Sequence, residues 1–138
     1  MNATDFTTPP RRWAAGLLAA LLATTAATAA TPNELLAGYT RQAGVAAQPE
    51  QGRSFFTQTH GREWSCASCH GAKPVQAGQH AGTGKPIAAL APAVEAQRFS
   101  DPAKVEKWFR RNCNDVLARE CTAGEKADVL AWLVGLKP

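Results

Sequence analysis

Methionine occurs once in the 138 residues, at position 1, and histidine only at positions 60, 70 and 80. Basic and acidic residues nearly cancel, 15 against 11, and a formal charge of +4 is too small an excess to mark a nucleic-acid-binding surface. Long hydrophobic runs are missing. The longest, residues 13–23, falls short of the ~20 apolar residues of a membrane span, and Thr24, Thr25 and Thr28 dilute its continuation. No internal repeat is visible. Cysteine is confined to positions 66, 69, 113 and 121. The last two are too far apart to read as the second ligand pair that a zinc site would need.

What is present begins at the N-terminus. Arg11-Arg12 precede the apolar run, and Ala27 with Ala29, or Thr28 with Ala30, are placed for a signal peptidase. Residues 1–30 are therefore expected to be a cleaved signal peptide, leaving residues 31–138 as one small domain in the periplasm. Arg11, Arg12 and Asp5 leave together, so the charge of the remainder is about +3. A chain this short buries a modest core.

The chemistry is concentrated in Trp64-Ser65-Cys66-Ala67-Ser68-Cys69-His70. Two cysteines two residues apart, followed at once by histidine, form the attachment site of a c-type haem. Each thiol adds to a porphyrin vinyl group, and the adjacent imidazole is then held beneath the iron. A thioredoxin-like pair would use the same two cysteines and leave His70 incidental. In an exported chain of this size we read one covalent haem c, whose apolar surface enlarges a small core. Its attachment follows translocation, so an unfolded export route suits it better than the twin-arginine route that Arg11-Arg12 weakly suggests. The remaining two cysteines of an exported protein, Cys113 and Cys121, are expected to form a disulfide. On one straight helix they would lie about 12 Å apart, beyond the roughly 7 Å that a disulfide spans, so the chain must bend between them.

Around this motif the patterning is helical. Thr31-Pro32-Asn33-Glu34 is a capping box that starts a helix running to about Gln42, and a second helix is expected over residues 50–59. There Phe55 and Phe56 pack on the core, and Gly52 permits a close helix crossing or is simply tolerated. Residues 71–100 are rich in glycine and proline and lack a sustained period, which suggests a wrap around the haem edge. Within it Pro86, or else Pro74, is a candidate to orient the His70 imidazole through its carbonyl. Asp101-Pro102 opens a further helix, with Val105, Trp108, Phe109 and Asn112 on one face and Lys104, Lys107, Arg110 and Arg111 on much of the other. That basic set is either a solvated face or a docking patch for an acidic redox partner. Thr122-Ala123-Gly124-Glu125 caps a terminal helix carrying Val129, Trp132, Leu133 and Leu136 on one face.

Small c-type cytochromes commonly complete the iron with methionine. Met1 departs with the signal peptide, so residues 31–138 cannot supply that ligand. His60, His80, an unusual ligand such as Asn112, or an open position remain. His60 sits where a histidine caps a helix end, His80 lies in a glycine-rich loop, and Asn112 is equally readable as a helix C-cap.

The segments Thr83-Gly84-Lys85-Pro86-Ile87, Leu90-Ala91-Pro92, Arg98-Phe99-Ser100-Asp101, Lys104 through Cys113, and Cys121-Thr122 through Trp132-Leu133 resemble the sphaeroides haem protein family. This family comprises class I-like c-type cytochromes and is also described as a domain of unknown function. The resemblance covers nearly all of residues 31–138, departing at Ala89 and at Ala93-Val94-Glu95-Ala96. It implies an all-α, class I cytochrome c-like single domain around one covalently attached haem. It further implies that Asn112 ligates ferric haem opposite His70, beside a Cys113–Cys121 disulfide. The expected activity is electron transfer, with redox-linked release of Asn112 and binding of oxygen, nitric oxide or carbon monoxide to the ferrous haem. A dihaem cytochrome c or a membrane cytochrome b is the implied redox partner. The alternative is a haem enzyme acting on oxygen, peroxide or nitric oxide, though no distal histidine–arginine pair of peroxidase type is recognisable. A gas sensor is a further reading, without any accompanying signalling domain.

Overall fold

The computed structural model describes residues 29–138; the expected signal peptide lies outside them except for Ala29 and Ala30. Among the described residues no helix is long and apolar enough to cross a membrane. Five helices and one two-residue hairpin follow in the order α1 (Pro32–Ala43), α2 (Pro49–Thr57), α3 (Cys66–His70), β1 (Gly78–Gln79), β2 (Pro86–Ile87), α4 (Pro102–Leu117) and α5 (Ala123–Gly135). The fold is all-α, as expected; the hairpin, with Gly78 opposite Ile87, is a small addition in the 71–100 wrap.

The helix starts are set by their caps. The Thr31 N–H donates to Glu34 at 2.7 Å while the Thr31 hydroxyl accepts the Glu34 N–H, closing the expected box. Gly44, at φ +71°, ends α1 in the left-handed conformation that glycine adopts without strain. Helix α2 begins one residue before the expected start. Pro49, whose fixed φ and missing N–H suit a first helical position, is N1 rather than the end of the connector. It also stops two residues early, at Thr57. Asp101 caps α4 by accepting the Lys104 N–H at 3.0 Å.

Helix α5 is the spine. It packs along both α1 and α2, burying Val129, Trp132 and Leu133 with Phe56 in one cluster and Leu130 and Ala127 with Tyr39 in a second. The α2–α5 crossing is so close that a Cβ built on Gly52 would sit within about bonding distance of the Asp128 backbone carbonyl. Gly52 is therefore required by the crossing and not merely tolerated. A hydrogen bond from the Gln48 N–H to Asp128 Oδ1, 2.6 Å, ties the start of α2 to the same turn of α5.

Helix α4 is held at its flanks. Phe109 meets Tyr39 edge-on with ring centroids 5.8 Å apart, and Lys126 of α5 bonds Glu106 at 2.8 Å. The Tyr39 hydroxyl is buried without a close hydrogen-bond partner; burial first, and then the neighbouring Glu106 carboxylate, raise its pKa and oppose its ionisation.

Two outcomes test this account. Gly52→Ala inserts a methyl group into a backbone contact and is expected to destabilise the protein by at least the ~1–3 kcal/mol of core overpacking, read as a lower thermal midpoint. The Arg119 guanidinium, with help from the Thr122 N–H and against the opposing effect of burial, holds the Glu125 carboxyl below its ordinary 4.5. A depressed folded-state value gives stability that is present above the ordinary range and lost as pH falls through the depressed value. Thermal midpoints recorded from neutral to acid pH should therefore decline less steeply for Glu125→Gln than for the wild type.

Candidate haem site

Helix α3 is a single turn and a half, opened by the Ser65 N–H donating to Ser68 Oγ at 3.0 Å and closed by Gly71 at φ +76°. One turn places Cys66 and Cys69 at i and i+3 on the same side, with His70 next in line. The two thiols are free, not bonded to each other. All three side chains line a cavity of about 770 Å³, within the ~300–1,000 Å³ typical of cofactor pockets. Phe55, Phe56 and Trp64 join its wall beside α3, Leu90 and Phe99 come from the wrap, and Val129 and Leu133 come from α5. Across the opening α4 contributes Val105, Trp108, Phe109 and Asn112.

The electrostatics suit thioether attachment better than redox catalysis. Burial, reinforced by the neighbouring Cys69, pushes the Cys66 thiol up to about 11, the opposite of the depressed thiol in a Cys-x-x-Cys oxidoreductase. Burial first, and then the positive charge of Arg98, moves the His70 imidazole below its ordinary 6.5. A neutral ring keeps a lone pair available to a metal. Among the described residues no cluster of three or more His, Cys, Asp or Glu is arranged to hold a metal ion directly. The donor set is thus one imidazole and two thiols facing an apolar cavity, which fits a porphyrin-borne iron.

The structure separates the candidates for the second axial position. His60 Nε2 lies 2.8 Å from the Phe55 carbonyl and its ring stacks on Phe55 at 4.5 Å; it caps the end of α2 and does not line the cavity. His80 does line the cavity, but beside α3: Gly78 abuts the Cys69–His70 backbone, and the Ala81 N–H donates to Cys69 Sγ at 3.3 Å. The His80 Nδ1 accepts the N–H groups of Gly82 and Thr83, 3.2 Å each. Asn112 is no C-cap. Helix α4 runs on to Leu117 and ends at Ala118, φ +59°, so Asn112 is a half-buried interior residue facing the cavity. The disulfide Cys113–Cys121 is present, with Cα atoms 5.6 Å apart, and the expected bend between them follows Leu117, where α4 ends.

The two proline candidates differ in their surroundings. The Pro74 carbonyl already accepts the N–H groups of Leu90 and Ala91, 3.0 and 3.1 Å, and Pro86 is exposed in β2. Trp108, expected on the core face, is 45% exposed at the cavity mouth, with the Arg111 guanidinium 5.7 Å from its ring centre. Two further residues carry no assigned role in the sequence beyond their place in a segment of the family resemblance. Arg98 donates from Nε to the Ala89 carbonyl and from Nη2 to that of Ala88, 2.7 Å each, clamping the wrap. Phe99 adopts φ +60° and packs against both core clusters. No sequence signal marks either: the Arg98 partners are backbone atoms, and phenylalanine rarely takes a positive φ.

Residues 42–133 match a family described as a domain of unknown function, DUF1924. The cytochrome c-type protein SHP of Cereibacter sphaeroides is 52% identical over 122 residues, covering 85% of this chain and 94% of that protein. A solved structure of oxidised SHP, described as an oxygen-binding cytochrome c, superposes with a TM-score of 0.74 at 49% identity, covering 78% of this chain and 99% of that one. The solution structure of cytochrome c'' from Methylophilus methylotrophus, described in connection with haem-ligand detachment, gives 0.68 at 36% identity over 76% of this chain and 93% of that one.

Arg98→Ala removes two charge-assisted hydrogen bonds from the wrap, each worth about 1.5–3 kcal/mol. Backbone amides in residues 86–95 should exchange faster in this variant, while those of α5 keep their protection.

Proposed function

The chain belongs to the DUF1924 family, the sphaeroides haem proteins, and from that membership we propose that it is a periplasmic monohaem cytochrome that moves single electrons and binds small diatomic ligands where Asn112 lets go of the iron. As a c-type cytochrome it carries covalent haem c, which supplies a one-electron iron couple with an exchangeable axial position. In this reading Cys66 and Cys69 hold the porphyrin, His70 is the permanent ligand, and Asn112 is the releasable one. Residues 1–30 direct export, and a dihaem cytochrome c or a membrane cytochrome b is the electron partner.

The observation that carries the reading is the position of Asn112, on the wall of the cavity that His70 also lines, within a helix pinned at the next residue by a disulfide. A neutral amide oxygen is a weak, hard donor, tolerable to ferric iron and mismatched to the softer ferrous state. Because α4 continues for more than a turn past Asn112, release is a swing of the side chain from a fixed backbone and not a fraying of a helix end. The disulfide keeps the backbone at 112 in place for rebinding. Trp108 and Phe109 border the vacated space and shape what enters it. The described properties of two relatives, oxygen binding in one and ligand detachment in the other, support this reading.

Optical spectra of the haem-loaded protein test it. The ferric form should be six-coordinate, and the dithionite-reduced form should be high-spin and take up carbon monoxide quickly. Asn112→Val should change the ferric spectrum and leave carbon monoxide uptake intact. An unchanged ferric spectrum in that variant, or a six-coordinate ferrous form that excludes carbon monoxide, would transfer the ligand role to His80. Sustained consumption of oxygen, peroxide or nitric oxide well above that of free haem would make the protein an enzyme instead of a carrier.

A further inference from the structure

Helix α4 carries a second pattern. Lys104, Lys107, Trp108 and Arg111 stand at i, i+3, i+4 and i+7, one continuous stripe, with Arg110 at its edge. All four cations are exposed, and none takes part in an ion pair among the described residues; Glu106, which lies toward Arg110, is bonded by Lys126. Residues 31–138 have an excess of only about three positive charges, so four unpaired cations on one helix are a concentration and not a reflection of a basic chain. Lys104, Trp108 and Arg111 also line the mouth of the haem cavity.

A diatomic gas carries no charge, so such a stripe does nothing to guide it. A protein surface is guided strongly, because summed charges steer encounter and fix orientation. Whatever rests on this face reaches the mouth of the cavity, which Lys104, Trp108 and Arg111 line.

We propose that the Lys104–Lys107–Arg110–Arg111 stripe of α4, bordered on its cavity side by Trp108, is the docking surface for an acidic one-electron protein that delivers electrons to this site. The inference rests on the electron-transfer reading above and assigns the face that serves it. On docking, one electron leaves the partner's reduced cofactor and ferric iron becomes ferrous; no bond is made or broken between the proteins.

Reduced flavodoxin, an acidic one-electron donor, is the probe, with photogenerated neutral lumiflavin semiquinone as a small donor that needs no docking. Stopped-flow reduction of the ferric holoprotein by flavodoxin should slow with rising ionic strength. It should also fall about tenfold in Lys107→Glu/Arg110→Glu, within the one to three decades over which association rates vary among mutants of one interface. Neither residue lines the cavity, so lumiflavin should reduce this variant at the wild-type rate. Oxidised flavodoxin should shift the backbone amide resonances of residues 104–111. A charge-matched control, Arg41→Glu/Lys137→Glu, should keep the wild-type flavodoxin rate. Equal loss in the control, a salt-independent rate, or amide shifts elsewhere would overturn the docking face while leaving the carrier reading intact. Failure of lumiflavin to reduce the wild type would remove that reading and this proposal with it. Binding to anionic lipid vesicles that Lys107→Glu/Arg110→Glu abolishes, without any effect on the flavodoxin rate, would assign the stripe to a membrane surface instead.

Discussion

The closeness of α2 and α5 at Gly52 sets the dimensions of everything else. Helix α2 leads through residues 58–65 to the turn that presents Cys66, Cys69 and His70, while the start of α5 is joined through Cys121 to Cys113 and so to Asn112. One backbone contact thus governs both walls of the cavity. If the helices stood further apart, the cavity walls that carry His70 and Asn112 would shift with them. The Gln48–Asp128 hydrogen bond fixes the crossing along the helix axes, and the Phe56–Trp132 contact, ring centroids 5.0 Å apart, fills it beneath His70.

On α4 the face built by Val105, Phe109, Cys113 and Val116 is buried or half-buried, the edge formed by Trp108 and Asn112 borders the cavity, and the next edge is cationic. A single helix therefore divides its circumference among anchoring, the cavity wall and contact with the outside. The division works because the anchors are few and strong. A disulfide, one ion pair and one edge-on aromatic contact hold the helix away from α3, so that cavity lies between them where another fold would have core.

Where local chemistry decides a feature, the sequence was readable. Thr31, Asp101 and Thr122 start helices because their oxygens satisfy N–H groups at the helix start. The haem motif is legible because covalent attachment leaves no freedom in its spacing. The cysteine pairing followed from the redox compartment. Where tertiary packing decides, the sequence misled. Asn112-Cys113-Asn114-Asp115 contains poor helix formers, so a helix end looked reasonable there, yet burial of Cys113 and Val116 and the disulfide carry α4 through it. Trp108 fell on the apolar stripe by periodicity but borders a cavity that periodicity cannot see. The wrap was correctly read as irregular, but the Arg98 clamp and the contacts of the Pro74 carbonyl join backbone atoms, which leave no residue-type signature.

The sulfur inventory bears on how long such a molecule lasts. Residues 31–138 contain no thioether of methionine, and of their four cysteines one pair is locked as a disulfide while the other lies in the haem motif. With Cys66 and Cys69 committed to the porphyrin, no thiol remains to become a sulfenic acid and no methionine to become a sulfoxide. A c-type haem sets a redox-active iron beside its own polypeptide and so generates corrosive surroundings. This one presents them with a polypeptide from which the two most easily damaged side chains have been removed.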